Sequence, residues 1–338
     1  MKNNINRRNF LKSTTMAGMG LSLPGNKLFS EENLFQKTSS IGIIGLDTSH
    51  SIAFTKAINN PEGKAEFSGF KVTAAYPQGS SDIESSIKRI PEYTAEIKKM
   101  GVEIVDSIDA LLSKVDLILL ETNDGKVHLE QALPVLKARK RMFIDKPIAA
   151  SLKDTLAIFD ASKKYNTPVF SSSSLRYEKA IQDILKTNKI GEIKGVDAYS
   201  PATLEKTHPD LFWYGIHGVE ILFTLLGAGC HSVVRVHNEG TDVVVGTWDN
   251  DTIGTFRGMR EGKTGYGGTA YGTEGIENFS YASGYEPLVA EILQFFRTGK
   301  PPVSPEETIA IYAFMEAADE SKRQGGIPVK LETVLAKA

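Results

Sequence analysis

The sequence predicts an α/β fold. It has a doubly wound parallel sheet in its N-terminal part and an α+β domain with an open-faced, mostly antiparallel sheet after it. Two patterns support this prediction. Up to about residue 173, short apolar runs alternate with segments of helical periodicity, as in parallel sheets. Beyond that point, runs rich in β-branched residues follow one another with only turns between them. The 338 residues also suffice for two domains, each with its own core.

The strands of the first domain are short apolar runs that end in polar or turn residues. They are predicted at 41–45, 70–76, 102–105, 115–122 and 141–144. Helical spacing predicts intervening helices, of which the first covers 51–60 and another carries Leu129, Ala132, Leu133 and Leu136. Ser107 is expected to cap the helix that contains Leu111 and Leu112.

In the second domain, strands are predicted at 232–237, 241–248 and 252–257. Ser304 is an N-cap residue and Pro305 suits the first helical position, so a helix is expected from there to about Arg323, before Gly325-Gly326. The segments 266–268 and 271–273, each a Tyr with one or two neighbouring Gly residues, are predicted to be β-turns.

The composition excludes several classes of function. A net charge of −2 and a pI of about 6.3 imply no basic face for nucleic acid or an anionic membrane. Cys230 is the only cysteine, which excludes an intramolecular disulfide and a cysteine-rich zinc site.

The N-terminus resembles a twin-arginine export signal in the run from Asn6 to Lys12, with Arg7 and Arg8 at its centre. A short stretch of apolar and small residues follows, at 13–23. We therefore predict a signal and linker at 1–39, recognition by the twin-arginine machinery and a periplasmic protein. No clear Ala-x-Ala site is present, so anchoring by an uncleaved segment is an alternative, and a disordered basic tail is another.

The unit from Val115 to Pro147 is a strand, a helix and a second strand that ends in Asp145-Lys146-Pro147. It resembles the Gfo/Idh/MocA oxidoreductases, whose signature is Glu-Lys-Pro with a His upstream. Here Asp145 replaces the Glu, and Lys146, Pro147 and His128 match. The segments 168–177 and 181–196 resemble the family's last Rossmann strand and its entry into the second domain, and the whole likeness covers about residues 40 to 325.

This resemblance implies a Rossmann-like dinucleotide-binding domain at 40–173 and a substrate and oligomerisation domain at 174–338. It also implies two catalytic residues. Lys146 lies at the carboxyl edge of the parallel sheet, where open α/β folds bind ligands. His217 matches the last residue of the family's Asp-x-Gly-x-His element, in which Trp213 replaces the Asp. We expect the substrate to contact Arg176, Trp213 and Tyr214, or the two aromatic residues to pack in the core.

The cofactor loop departs most from the family. Its pattern is Gly-x-Gly-x-x-Gly, and only Gly45 survives in the run Gly45-Leu46-Asp47-Thr48-Ser49-His50. A carboxylate at position 47 is unfavourable beside a pyrophosphate unless it turns away or caps the helix. We assign cofactor binding to this loop, with NAD favoured over NADP because no Arg follows the second strand. The assigned residues are Gly45, Asp47, Thr48, Ser49, His50, Tyr76, Thr122, His128 and Asp145.

The leading hypothesis is an NAD(P)-dependent oxidoreductase that acts on a secondary hydroxyl of a sugar, cyclitol or glycoside. Two alternatives stay open: an NAD-dependent glycosidase or lyase that works through transient oxidation, and a non-catalytic sugar-binding protein. No metal site is predicted, because the acidic and His residues expected at the carboxyl edge of the parallel sheet do not have the sequence spacing of known metal-ligand motifs. They are Asp47, His50, Glu121, His128 and Asp145.

Overall fold

The computed structural model describes residues 38–338 with the exception of Pro61. The predicted export signal, with Arg7 and Arg8, lies outside the described residues. None of the described helices combines the length and the apolar character that crossing a membrane requires.

The first sheet is parallel throughout and has six strands in the order β3-β2-β1-β4-β5-β6. Their bounds are β1 (Ser39–Ile44), β2 (Phe70–Tyr76), β3 (Glu103–Ile104), β4 (Leu117–Leu120), β5 (Met142–Ile144) and β6 (Val169–Phe170). The direction of winding reverses between β1 and β4, so a crevice opens at the carboxyl ends of these two central strands. The predicted doubly wound sheet is confirmed.

Five helices connect these strands, and their starts follow local capping. They are α1 (Ser49–Asn59), α2 (Glu84–Lys99), α3 (Ile108–Leu112), α4 (His128–Lys137) and α5 (Leu152–Tyr165). Ser107 caps α3 as predicted, because its hydroxyl accepts from the backbone N–H of Ala110 at 3.2 Å. The start predicted for α1 was two residues late. Thr48 is its N-cap and accepts from the N–H of His50 at 3.2 Å.

The second sheet has seven strands in the order β12-β11-β7-β10-β9-β8-β13, and only the pair of β7 and β10 is parallel. The strands are β7 (Ile193–Pro201), β8 (Cys230–His237), β9 (Thr241–Trp248), β10 (Ile253–Met259), β11 (Gly267–Gly272), β12 (Ile276–Ser280) and β13 (Val329–Lys330). The helices around it are α6 (Lys179–Thr187), α7 (Asp210–Trp213), α8 (Ile216–Leu226), α9 (Glu286–Thr298), α10 (Pro305–Arg323) and α11 (Leu331–Leu335). The predicted mostly antiparallel sheet is confirmed.

The prediction of a β-turn was wrong for 266–268, which lies at the start of strand β11. The segment 271–273 does enter a reversal, because the N–H of Gly272 donates to the carbonyl of Gly275 at 2.8 Å where β11 turns into β12. At Gly268 a Cβ would lie 2.1 Å from the carbonyl oxygen of Asp197 and 2.5 Å from the ring of Phe279. Here glycine permits a close approach between strands, not a reversal of the chain.

Helix α10 begins at the predicted residue and contacts the loop after β5. The Ser304 hydroxyl accepts from the N–H of Glu307 at 3.1 Å, and Pro305 is the first helical residue. Farther along α10, the buried hydroxyl of Tyr312 accepts from the N–H of Ile148 at 2.6 Å. This bond fixes the loop after β5, which carries Lys146.

Helix α9 returns from the second half of the chain to the first sheet. Its apolar face joins one core with α1 and with strands β1, β5 and β6. The ring of Phe295 meets that of Phe170 edge to face at 5.0 Å between centroids. Arg141, just before β5, donates to the carbonyl of Phe296 at 2.5 Å. The second half of the chain therefore completes the core of the first.

Candidate functional site

A cavity of about 200 Å³ lies at the crevice, between the start of α1 and the second sheet domain. Its polar part comes from the first sheet edge and its aromatic part from the second domain. The lining residues are Thr48, Ser49, His50, Arg89, Tyr93, Asn123, Lys146, Ser174, Leu175, Tyr214, His217, Tyr266, Tyr281 and Tyr285. The volume is below the ~300–1,000 Å³ typical of pockets for drug-sized molecules, so it suits a small ligand.

Lys146 reaches this cavity from the loop after β5. The peptide bond to Pro147 is cis. The side chain is mostly buried, with 9% of the residue exposed, and its Nζ lies 5.8 Å from the ring centroid of Tyr214. An ammonium over an aromatic face is stabilised by the ring quadrupole. The structure thus places Lys146 in the cleft, as predicted.

His217 lies in the first turn of α8 and faces the same cavity. Its Nδ1 is 2.7 Å from the hydroxyl of Ser173, and the ring meets Tyr266 edge to face at 5.6 Å. Burial, and next the positive charge of Lys146, hold the pKa of His217 well below its ordinary value. The imidazole is therefore neutral at physiological pH, and Ser173 does the orienting that the family gives to an Asp.

The side chain of Asp47 turns away from the start of α1, which is one of the two arrangements that would keep its carboxylate from a bound pyrophosphate. Its carboxylate accepts from the backbone N–H groups of Ser80 at 3.0 Å and Asn123 at 2.9 Å. Burial raises the pKa of Asp47 even though these amides and the hydroxyl of Ser86 oppose the shift. The carboxylate thus bridges the loops after β2 and β4 and does not point at the N-terminus of α1.

Arg89 supplies a cation to this part of the cavity. It comes from the second turn of α2, and its Nη1 lies 3.5 Å from the carbonyl oxygen of Asp47. Thr48 and Ser49 line the same part, at the N-terminus of α1. A helix N-terminus with an arginine beside it attracts negatively charged groups such as phosphate.

Gly45 retains the role of the family's first glycine. Its φ is +88°, and a Cβ would lie 2.4 Å from the Oγ1 of Thr122. Only glycine adopts this turn so close to the next strand. Thr122 is therefore the wall against which the loop turns.

Tyr76 and the start of the loop after β2 line a second recess, of about 490 Å³. In the loop after β2, the hydroxyl of Ser80 is 2.8 Å from Oδ2 of Asp124 and 2.9 Å from Oδ1 of Asp82. Lys126 pairs with Asp82 at 2.7 Å. These contacts, which we call the Ser80 tie, join the loops after β2 and β4 across the crevice.

His208, in the loop before α7, contacts the Ser80 tie from the second domain. Its Nε2 accepts from the backbone N–H of Gly125 at 3.2 Å and lies 3.5 Å from Oδ1 of Asp124. Burial lowers the pKa of His208 to about 4. The ring of Trp213 packs against His208 at 4.9 Å between centroids.

Three other predicted site residues do not line the cavity. His128 is fully buried and joins the carbonyls of Thr122 (2.7 Å) and Ile148 (3.2 Å). Arg176 is buried and forms ion pairs with Glu220 and Glu307. Trp213 packs against His208. These side chains hold loops and helices in place around the cavity.

The carboxyl ends of β4 and β5 meet α1 in a buried cluster. His50 Nδ1 is 2.7 Å from Oδ2 of Asp145, and Glu121 lies beside them. Burial, and next the charge of Asp145, raise the pKa of Glu121 well above its ordinary value. Although burial opposes it, the charges of His50 and Lys146 lower the pKa of Asp145. Three of the five residues that share this sheet edge are thus brought together.

Sequence reasoning missed several cavity residues. Arg89 and Tyr93 are one turn apart on α2, and Tyr281 and Tyr285 flank the turn before α9. Ser173, the partner of His217, lies in a run of four serines that gives no hint of which one is used. Spacing within α2 shows that Arg89 and Tyr93 share a face, but no local signal shows that this face meets α1.

Comparison with known proteins agrees with the fold. Residues 39–173 match the Gfo/Idh/MocA family, described as an oxidoreductase family with an NAD-binding Rossmann fold. The match covers the N-terminal sheet domain of this chain. An uncharacterized oxidoreductase of Streptococcus pneumoniae serotype 4 is 24% identical over 126 residues, which are 36% of this chain and 34% of that protein. The match to this curated relative thus spans about a third of its length.

Solved structures show the same fold over most of this chain. A probable dehydrogenase from Thermotoga maritima has a TM-score of 0.72 at 18% identity, covering 87% of this chain and 99% of the other. Scyllo-inositol dehydrogenase from Lactobacillus casei, with bound NAD(H) and scyllo-inositol, has a TM-score of 0.69 at 15% identity, covering 88% and 100%. The predicted likeness to this family and to its NAD-binding Rossmann fold is confirmed for residues 39–173.

The described residues fit a dinucleotide at its two ends. The Gly45 turn is intact, Arg89 lines the cavity together with the N-terminus of α1, and a second recess lies beside Tyr76. The Ser80 tie joins the loops after β2 and β4 across the crevice at which open α/β folds bind ligands. Thr48, Ser49 and Arg89 would hold the phosphates.

Proposed function

We propose that this oxidoreductase oxidises a secondary hydroxyl of a cyclitol, sugar or glycoside. One observation carries the proposal: Lys146 and His217 line a single small cavity, next to Arg89 and the N-terminus of α1. Proton-handling groups and a phosphate-binding element thus share one space. The dehydrogenase with bound scyllo-inositol supports a cyclitol or sugar as the substrate class.

The chain's own residues supply binding and proton transfer. His217 is neutral, and in the tautomer that donates Nδ1–H to Ser173, its Nε2 is free to accept the proton of the substrate hydroxyl. Lys146 donates a hydrogen bond to the same oxygen, which steadies the negative charge that develops there. NAD, when bound, supplies the hydride acceptor for the carbon that carries this hydroxyl.

The aromatic wall of the cavity suits the apolar face of a sugar ring. Tyr214, Tyr266, Tyr281 and Tyr285 each combine a ring face with a hydroxyl. Burial raises the pKa of Tyr266 to about 12, so its hydroxyl stays protonated and donates a hydrogen bond. A polyhydroxylated ring offers both the C–H faces and the acceptors that this wall requires.

A second reaction is favoured by the Ser80 tie. Contacts such as that of Ser80 with Asp124 join the two loops across the crevice, and they would retain a nucleotide that has bound there. A retained cofactor suits a glycosidase or lyase that oxidises its substrate transiently and restores the cofactor in each cycle. Turnover without added NAD and without net reduction would distinguish this reaction from a simple dehydrogenase.

The test measures reduction of NAD at 340 nm with cyclitols, sugars and glycosides, and product formation by mass spectrometry when no NAD is added. Lys146→Ala and His217→Ala should each lower turnover by ~10²–10⁴-fold. Because the two residues act on one oxygen, the double variant should lose less than the product of the two. Lys186→Ala, at an exposed position on α6, is the control. Turnover unchanged in both variants would contradict the proposed roles.

A further inference from the structure

His50, Glu121 and Asp145 form a cluster beneath the cavity, and each comes from a different element. His50 is the second residue of α1, Glu121 follows β4 and Asp145 follows β5. One ligand atom from each lies within 4.8 Å of the others, and all three residues are buried. His50 stands where the family pattern has its third glycine, and Asp145 where it has a longer Glu. Two departures from the family pattern thus meet at one point.

Glu121 has no partner that accounts for its burial. The residue is 0% exposed, and within the described part of the chain neither carboxylate oxygen makes a hydrogen bond. Oδ1 of Asp145 likewise makes none among these residues. No described Lys or Arg comes within 4.0 Å of the Glu121 carboxylate, although Lys146 follows Asp145 directly. Buried polar groups are nearly always satisfied, and a buried carboxylate without a partner is costly.

The set of donors suits a divalent metal ion. One imidazole nitrogen and two carboxylates are ligands that Zn²⁺ and Mn²⁺ accept, whereas Ca²⁺ and Mg²⁺ prefer oxygen alone. At metal–ligand distances of about 2.1 Å, two ligands of one ion are at most ~4.2 Å apart. A contraction of roughly 0.6 Å would therefore bring the three atoms onto one ion, which rotamer adjustment can supply.

We propose that His50, Glu121 and Asp145 bind one divalent transition-metal ion. The ion neutralises the two buried carboxylates and takes the place of the proton between His50 and Asp145. His50 lines the cavity and Asp145 precedes Lys146, so the ion lies at the cavity floor next to the catalytic loop. The proposal does not rest on the identity of the substrate or on the proposed reaction.

The first experiment measures metal binding to the whole protein without substrate. The protein is stripped with a chelator and titrated separately with Zn²⁺ and Mn²⁺ by calorimetry, and metal content is measured by mass spectrometry after dialysis. We expect one ion per chain. Glu121→Gln keeps the shape of the side chain and removes a ligand, so affinity should fall by ~100-fold or more, beyond what loss of an outer contact causes.

The control is Asp47→Asn, which also removes a fully buried carboxylate but one already bonded to the N–H groups of Ser80 and Asn123. It should bind metal like the wild type. Equal affinity in Glu121→Gln and the wild type would overturn the proposal, because any metal bound would then lie elsewhere.

If calorimetry detects no heat of binding, the melting temperature with and without metal tests the proposal instead. Metal should raise the melting temperature of the wild type by several degrees and leave that of Glu121→Gln unchanged, since an ion that binds only the folded state stabilises it. Without metal, Glu121→Gln should melt at or above the temperature of the wild type, because it buries no charge. No shift of the wild type at about 1 mM of either ion would overturn the proposal and leave a protonated Glu121 as the explanation of the cluster.

Discussion

His208 should make the folded protein sensitive to acid. Its neutral ring accepts from the N–H of Gly125, and burial lowers its pKa from 6.5 to about 4. Between pH 4 and pH 6.5, the unfolded chain therefore binds a proton on His208 that the folded chain does not bind. Stability is retained above pH 6.5 and is lost as the pH falls toward 4, with a slope of at most ~1.4 kcal/mol per pH unit.

The expected loss at pH 5 is about 2 kcal/mol relative to pH 7.5, calculated from the two pKa values. Denaturant unfolding of the wild type and of His208→Gln at pH 7.5, 6.5, 5.5 and 5.0 measures it. Gln does not titrate in this range and can still accept from the N–H of Gly125, so the difference between the two proteins isolates His208. His231→Gln, at an exposed position on β8, is the control.

The difference in unfolding free energy between the wild type and His208→Gln should change by about 2 kcal/mol across this range. A difference that stays constant within about 0.5 kcal/mol would refute the reasoning, since it would mean that the folded protein accepts a proton on His208 as readily as the unfolded chain.

Three further predictions follow from the described contacts and the N-terminal motif. Ser80→Ala removes the hydroxyl that meets Asp124, so NAD should associate faster in stopped-flow fluorescence; an unchanged rate would show that the Ser80 tie does not limit entry. Trp213→Phe should lower stability by ~1 kcal/mol through the lost contact with His208. It should leave KM unchanged because Trp213 does not line the cavity, and a raised KM would instead support the substrate contact predicted from sequence. Replacing both Arg7 and Arg8 with Lys should leave folded protein in the cytoplasm on fractionation, and unchanged periplasmic recovery would contradict the export signal.

The strands and helix caps followed from the sequence because local forces determine them. β2 (Phe70–Tyr76) and β9 (Thr241–Trp248) have the predicted bounds, and Ser107 and Ser304 cap their helices. β11 was missed because the reason for its glycines, close contact with β7 and β12, comes from strands far away in the chain.

The candidate site was predicted only in part, for the same physical reason. Lys146 and His217 belong to motifs that can be read locally, and both line the cavity. The contact of Ser173 with His217 and the approach of Arg89 to Asp47 join elements separated by more than 40 residues. Which of several serines or arginines makes such a contact depends on how helices pack, and no local spacing encodes it.

The return of α9 to the first sheet has a consequence for synthesis of the chain. The strands that α9 covers are complete at Phe170, but α9 ends only at Thr298, which is 298 − 170 = 128 residues later. At roughly 5–20 residues per second, the ribosome needs on the order of 6–26 s to make this interval. Through that time Phe54, Phe143 and Phe170 lack the helix that covers them. The nascent chain therefore exposes an apolar sheet face to chaperones until most of the second domain has been translated.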